Sequence, residues 1–465
     1  MSEHCGFIIK VEHLRPHSNA DRLQVLTIFG EDTCVSLDVK VGDIGIYFPY
    51  DLQLSEEYCD YNHLCRKKAD GSPDTGYLER NTRHVTAIKL RGEKSSGIYM
   101  PISSLDYISS SLNLNVGDKI TILEGKEICC KYIPRSTAAR VGKPSNGNKT
   151  RKRRIPIAPL FAEHADTEQL AYNLGAFKPG DQIEITLKLH GTSGRTGYLP
   201  VFKGYNDSEF CQVRNWIRTK FAKLFKKQEP EEIHDSEPIY DWGYVTGTRR
   251  TVLNSFTEGG YYGDNEFRLA AAKALEGKLN QGETCYYEIV GFTTAGQPIM
   301  ASTDSKKVDK LMGDKSFSKQ YGDTTVFPYS CESPNCDFYV YRMTMTTPEG
   351  VVIEYTPDFM RYRCEQMGVK CVPVLWKGYI PETYDNNFGV FTPGNFIKEI
   401  AEQYYDGPDP VGKTHVREGV VIRIVNRPKF CAYKHKNISF RILEGIVKEL
   451  AAAPDMEEAE DLIET

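Results

Sequence analysis

From residue 6 to about residue 122, apolar residues fall in short runs at 6–11, 23–29, 44–48, 86–90, 97–100 and 120–123. Turn residues separate them, as in Val41-Gly42-Asp43 and Val116-Gly117-Asp118. Short runs punctuated in this way predict a small antiparallel barrel. The stretch 129–156 is different: Pro, Gly, Ser and Asn are frequent, and residues 149–154 (KTRKRR) are nearly all basic. That composition predicts a linker, whose charge suits solvent and a nucleic-acid backbone equally.

From about residue 158 the pattern changes again. Strand-type runs at 182–189, 285–292, 338–346, 350–355 and 419–425 are mixed with helical patterns at 166–173, 208–227, 266–280, 356–367, 395–405 and 438–450. The pattern at 208–227 sets Arg218, Lys220, Lys223, Lys226 and Lys227 around Trp216, Phe221, Leu224 and Phe225. A basic amphipathic helix of this kind ordinarily packs its apolar face on a core and solvates the rest. Nucleic-acid contact is the lesser reading. The chain therefore reads as α+β. A barrel domain at 1–125 precedes a basic linker at 126–157, a larger domain of sheets flanked by helices at 158–450, and an acidic tail at 451–465.

Composition changes this picture little. The chain has 465 residues, enough for two or three domains of roughly 100–200 residues. Its net charge of −5 excludes a uniformly basic nucleic-acid sleeve but not local basic patches. The 13 cysteines are scattered, with no CxxC pair. The N-terminus has no apolar signal core, and no apolar run is long enough to span a bilayer. Together these features predict a reducing, cytoplasmic-type setting and no membrane partner. Neither Cys59, His63 and Cys65 nor Cys331 and Cys336 have the spacing of a standard zinc finger.

Five segments of the larger domain carry candidate chemistry. The alternating Ile183, Ile185 and Leu187 lead into Lys188-Leu189-His190-Gly191-Thr192-Ser193. This puts an amine at a strand end, beside a Gly that lets a nucleotide approach the backbone. Lys becomes a nucleophile when its amine is neutral, which nearby positive charge or desolvation favours. Alone, a Lys before a turn is ordinarily a solvated surface group. Arg249 and Arg250 follow a Gly turn and offer planar donors for phosphate. Glu288 is a single carboxylate in an apolar strand, suited to a ribose hydroxyl or a hydrated metal. Glu418-Gly419 introduces the apolar run 420–422, read as a strand buried on both faces. A carboxylate at its mouth is well placed for a divalent cation. Lys434 and Lys436 flank His435 and so share one face of a strand, where an anion would relieve their repulsion.

In this order, KxHG, Arg, Glu, EGVVIR and KxK resemble the motif series of the covalent nucleotidyltransferases. That superfamily holds the ATP-dependent RNA and DNA ligases and the RNA capping enzymes. The form KLHGTS resembles the RNA-ligase-2-type branch. The resemblance implies that Lys188 carries AMP, with His190 and Gly191 beside the nucleotide. It implies that Glu288 and Glu418 are the acids that hold Mg²⁺ or Mn²⁺, and that Lys434 and Lys436 grip the α-phosphate of ATP. Arg249 or Arg250 would take another phosphate, and Tyr339 or Tyr341 would stack on adenine. The wide gap between Lys188 and Arg249 implies an insertion holding the basic helix, and 306–337 reads as a second insertion.

The N-terminal segments PHSNADRL, VGD with IGIYFP, and IKLRG with SSG resemble an OB domain placed before the catalytic domain. That order is similar to nick-sealing RNA ligases. It implies an OB-fold followed by an ATP-grasp-like nucleotidyltransferase domain of antiparallel sheets. The implied partner is nicked duplex RNA with 5′-phosphate and 3′-hydroxyl ends, and the implied state a monomer. A GTP-using capping guanylyltransferase, a DNA ligase and a non-catalytic OB-type RNA-binding protein are the rival readings.

Overall fold

The computed structural model describes residues 4–50, 52–109, 112–132, 157–165, 167–224, 232–249, 251–253, 266–313, 315–383 and 392–443. The basic run 149–154, Arg250 and the acidic tail lie outside them.

The N-terminal runs form antiparallel strands, as the pattern predicts, but these are spread over several small sheets. Gly6–Lys10 is flanked by Ile44–Phe48 and Lys119–Ile120, and Ile98–Pro101 completes that sheet. Leu14–Pro16, Leu23–Ile28 and Glu31–Ser36 make a second sheet, and Cys129–Lys131, Leu52–Leu54 and His84–Val85 a third. Ile8, Ile46, Phe48, Leu52, Leu54 and Tyr58 close a common core. The three strand residues Cys129–Lys131 thus continue the sheet region into the expected linker.

Two larger sheets carry the rest of the chain. One has the order Glu168–Gln169, Ala432–Lys436, Gly419–Ile424, Gln182–Lys188 and Val374–Tyr379. The other runs Pro238–Gly247, Thr192–Tyr205, Glu283–Gly291, Cys336–Thr346 and Val352–Glu354, with Lys370–Cys371 on a branch. In the first sheet alternation decides the faces. Ile183, Ile185, Val420, Ile422 and Ile424 are buried in a core with Leu170, Phe177 and Ile397. Their neighbours Glu184, Thr186, Lys188, Val421 and Arg423 face the other way. The strand 419–424 is therefore not uniformly apolar-packed on both faces, because Val421 and Arg423 line a pocket.

Helix Pro357–Met367 forms where its caps predict. Thr356 Oγ1 accepts from the Phe359 N–H at 3.3 Å, and Gly368 ends the helix in a left-handed conformation. It is tied to the second sheet by a buried ion pair. Glu283, fully buried, accepts from Arg363 Nε at 2.9 Å and Nη2 at 2.8 Å, and from the Asn280 N–H and the Tyr355 hydroxyl.

Two expectations need correction, and one large element was not anticipated. Residues 166–173 do not form the expected helix among the described positions: Glu168–Gln169 pairs in parallel with Tyr433 and Lys434, and short 3-10 turns follow. Sheet pairing here overrides local helical propensity. The long hairpin of Thr192–Tyr205 and Pro238–Gly247 was hidden by its glycines and proline. The basic helix, observed at Glu209–Leu224, turns its apolar stripe outward rather than onto a core.

Replacing Glu283 by Ala would leave the Arg363 guanidinium buried and uncompensated. Urea unfolding is expected to show a loss of about 3–5 kcal/mol.

Candidate active site

Lys188 is the last residue of its strand and lies opposite Gly419. Gly419 in turn lies opposite Lys436. A Cβ at Gly419 would sit 2.2 Å from the His435 carbonyl oxygen, and its φ of +147° suits glycine. Glycine there lets three strands close around the preceding residue. Glu418 is accordingly 2 % exposed, and its Oε1 accepts from Lys188 Nζ at 2.7 Å and lies 3.1 Å from Lys436 Nζ. Burial alone would raise its carboxyl pKa, but the two ammoniums outweigh burial and hold it below the usual range. His190 Nδ1 lies 3.8 Å from the other Glu418 oxygen. Burial, edge-on between Phe327 and Phe440, lowers the His190 pKa to about 3, so the ring is neutral near pH 7.

The segment Leu189–Gly191 carries the chain from one large sheet to the other. Thr192–Tyr205 begins directly after it and places Ser193 opposite Glu288. Ser193 Oγ donates to Glu288 Oε2 at 3.2 Å. A Cβ at Gly191 would lie 2.2 Å from the Ile289 carbonyl oxygen. Glycine is thus required by the approach of the two sheets, a reason that the sequence reading had assigned to a nucleotide. Burial raises the Glu288 pKa to about 7, despite Lys188 nearby.

Two residues that sequence reasoning missed hold this crossing in place. The His190 N–H donates to the hydroxyl of buried Tyr329 at 2.7 Å. Arg268, also buried, donates to the Ser193 carbonyl and to Thr192 Oγ1, both at 2.7 Å. Tyr329 belongs to the expected 306–337 insertion. That insertion packs Val308, Phe317 and Phe327 against Leu187, Leu189 and Phe440, so it forms a wall of the site. No local pattern marks these partners, since both contacts span long stretches of chain.

The two sheets border a pocket that is open at its mouth. Lys188, Glu288, Arg249, Ser193 and Tyr341 line it, with His164, Phe430 and Met360. Tyr341 packs against His164 with ring centroids 5.0 Å apart and planes tilted by 59°. Tyr339 instead packs in the apolar cluster with Leu187 and Leu189. The strand 432–436 links this pocket to a neighbour: Ala432 lines the first, and Lys434 and Lys436 line the second. Lys131, Tyr50 and His4 from the N-terminal region and Arg441 complete the second cavity.

The residues present fit a hard divalent cation. Glu418 Oε2 is buried without a hydrogen-bond partner among the described residues, and Glu288 supplies a second oxygen donor in the same site. A separate grouping of Asp207, Cys211 and Asp235 lies beyond the end of strand Thr192–Tyr205. Its Asp207 already accepts from His234, Ser236 and the Asp235 N–H.

Tyr329→Phe removes the acceptor of the part-buried His190 N–H, so urea unfolding should register a loss of about 1 kcal/mol. Glu288→Gln tests the raised carboxyl pKa. Ionising Glu288 costs folded stability as pH rises from its ordinary pKa to about 7. The variant should match wild type near pH ~4 and be the more stable protein above pH ~7 in urea titrations.

No protein-family profile matches the chain, and no curated protein matches it. Solved structures do. An RNA ligase from Naegleria gruberi with PPi aligns at a TM-score of 0.52 and 16% identity, over 94% of this chain and 98% of that one. A mutant of the same enzyme with ATP and Mn aligns at 0.54 and 16%, again over 94% and 98%. A mutant without ligand aligns at 0.53 and 16%, over 95% and 98%. The chain is thus similar in fold to the Naegleria gruberi RNA ligase along nearly its whole length.

Proposed function

We propose that this protein is an ATP-dependent RNA ligase that works through a lysyl–AMP intermediate on Lys188. One observation carries the reading: Lys188, Glu418, Lys436, Glu288 and Tyr341, far apart in sequence, meet at one site. They do so in a fold similar to that of an RNA ligase solved with ATP and Mn and, in another mutant, with AMP and Mn.

In this reading the Lys188 amine attacks the α-phosphorus of ATP. A P–N bond forms, the bond to the bridging oxygen breaks, and pyrophosphate leaves. The amine must be neutral to attack, and it leaves its hydrogen bond to Glu418 Oε1 to do so. Lys436 shares that carboxylate at 3.1 Å. Tyr341 offers a ring for adenine and Arg249 a guanidinium for phosphate. Lys434 and Lys436 meet the phosphates, and cationic Lys131 and Arg441 border the same cavity. Glu288 and Glu418 would hold Mg²⁺ or Mn²⁺, which supplies charge neutralisation at phosphate and favours the neutral Lys188 amine. Neutral His190 shapes the turn without adding charge. Catalysis is chiefly positioning and electrostatic stabilisation of an in-line displacement.

AMP would then pass to a 5′-phosphate end, and a 3′-hydroxyl would displace it to close the strand. We take the substrate to be nicked duplex RNA. We read residues 1–125 as an OB module that holds the duplex, the chain as a monomer, and 158–450 as the adenylyltransferase domain. The 13 free thiols support a reducing, cytoplasmic-type setting.

The first test is incubation with α-labelled ATP and Mg²⁺ or Mn²⁺, beside Lys188→Ala and a GTP sample. Pyrophosphate pretreatment strips any AMP already attached. Label from ATP should stay on denatured wild type and be absent from the variant. Label on the variant would remove Lys188 from this role, label from GTP alone would favour a capping activity, and no label would leave a binding protein.

A further inference from the structure

Helix Glu209–Leu224 is oriented the reverse of a usual surface helix. Its inner face is held by polar contacts to the returning chain: Asn215 exchanges two hydrogen bonds with the Ile233 backbone, at 2.7 and 3.0 Å, and Cys211 Sγ donates to the Ile233 carbonyl. Ser208 at its start donates through its N–H to Asp235 at 3.0 Å. These contacts fix the rotation of the helix. At 3.6 residues per turn, Phe210, Val213, Ile217 and Leu224 then share the outer stripe, with Trp216 on its edge. Their exposures are 79%, 54%, 42%, 75% and 62%. So contiguous an exposed apolar patch marks an interaction surface.

Charge selects the partner. Between residues 209 and 227 the sequence carries Arg214, Arg218, Lys220, Lys223, Lys226 and Lys227 against Glu209 alone. Helical spacing sets Arg214 and Arg218 along one edge of the stripe and Lys220 along the other. Lys220 Nζ also stands 5.6 Å over the Trp216 ring. Aliphatic residues in the middle, cations at both edges and a tryptophan at the border match the plane of an anionic bilayer. The stems of the basic residues would lie along the acyl surface, with their charges among the headgroups. A second copy would bring like charge against like. Single-stranded RNA stacks on aromatic rings but gains little from Val213, Ile217 and Leu224.

We propose that this helix docks the protein on anionic lipid membranes. The sequence expectation of no membrane partner rested on the lack of a spanning segment. No described helix is long and apolar enough to cross a membrane, but lying on its surface needs only one apolar face. The hairpin 192–205/238–247 that bears the helix begins at the pocket and carries it outward, so docking need not cover Lys188.

The test is flotation of the full chain with phosphatidylcholine vesicles, with and without phosphatidylserine, beside the variant Val213→Gln, Ile217→Gln, Leu224→Gln. Wild type should float with the anionic vesicles about tenfold more than with neutral ones, and less at high salt. The variant should lose that binding while keeping wild-type thermal unfolding and AMP attachment. Should the variant prove unstable, quenching of wild-type tryptophan by brominated phosphatidylserine, lost in Trp216→Phe, decides the matter. Wild type that stays unbound, a folded variant that floats equally, or an unquenched Trp216 would each overturn the proposal. So would a lipid-free dimer or an RNA complex that the same variant abolishes while vesicles are ignored.

Discussion

A single buried carboxylate shared by two lysines organises the centre of this protein. Glu418 is almost wholly enclosed, and an isolated charge there would be expensive. Lys188 and Lys436 make it tolerable, and each comes from a different strand of the same sheet. The pairing therefore fixes three strands in register as well as holding a charge. It also sets the chemical problem of the site. The Lys188 amine that would attack donates to this same carboxylate at 2.7 Å, so attack requires that this hydrogen bond be given up. The second oxygen of Glu418 is buried without a hydrogen-bond partner among the described residues.

Around this pair the molecule spends much of its packing on one short crossing between sheets. Gly191 lets the second sheet approach, Arg268 fastens Thr192 and Ser193, and Tyr329 fastens His190. Behind them, the Glu283–Arg363 pair pins a helix to the strand that carries Glu288. The result is a pocket whose two walls belong to different sheets but meet at fixed residues. The N-terminal region touches this arrangement directly. Phe7 packs on Tyr172 at 4.9 Å, Lys119 pairs with Glu168 at 2.6 Å, and Arg441 pairs with Glu31 at 3.0 Å. The lysine-lined cavity opens at that junction, so both halves of the chain contribute to it.

The sequence by itself determined the strand-rich start, the capped helix at 357–367 and the identity of the chemically equipped residues. Alternation and capping are local, and they are visible wherever one face or one end of an element is specified. Of the residues that the sequence order picks out, the fold brings Lys188, Glu288, Glu418 and Lys436 near one another, while Lys434 lines the neighbouring cavity. Tertiary structure alone decided how these groups face one another. It placed Tyr341 in the pocket lining and Tyr339 in the apolar cluster beside it. It recruited Tyr329 from an apparent insertion and converted the predicted helix near 168 into an edge strand. It also turned the 209–224 helix outward, because a few polar contacts to Ile233 set its rotation. Periodicity shows that a helix has two faces; only the partners it meets decide which of them turns inward.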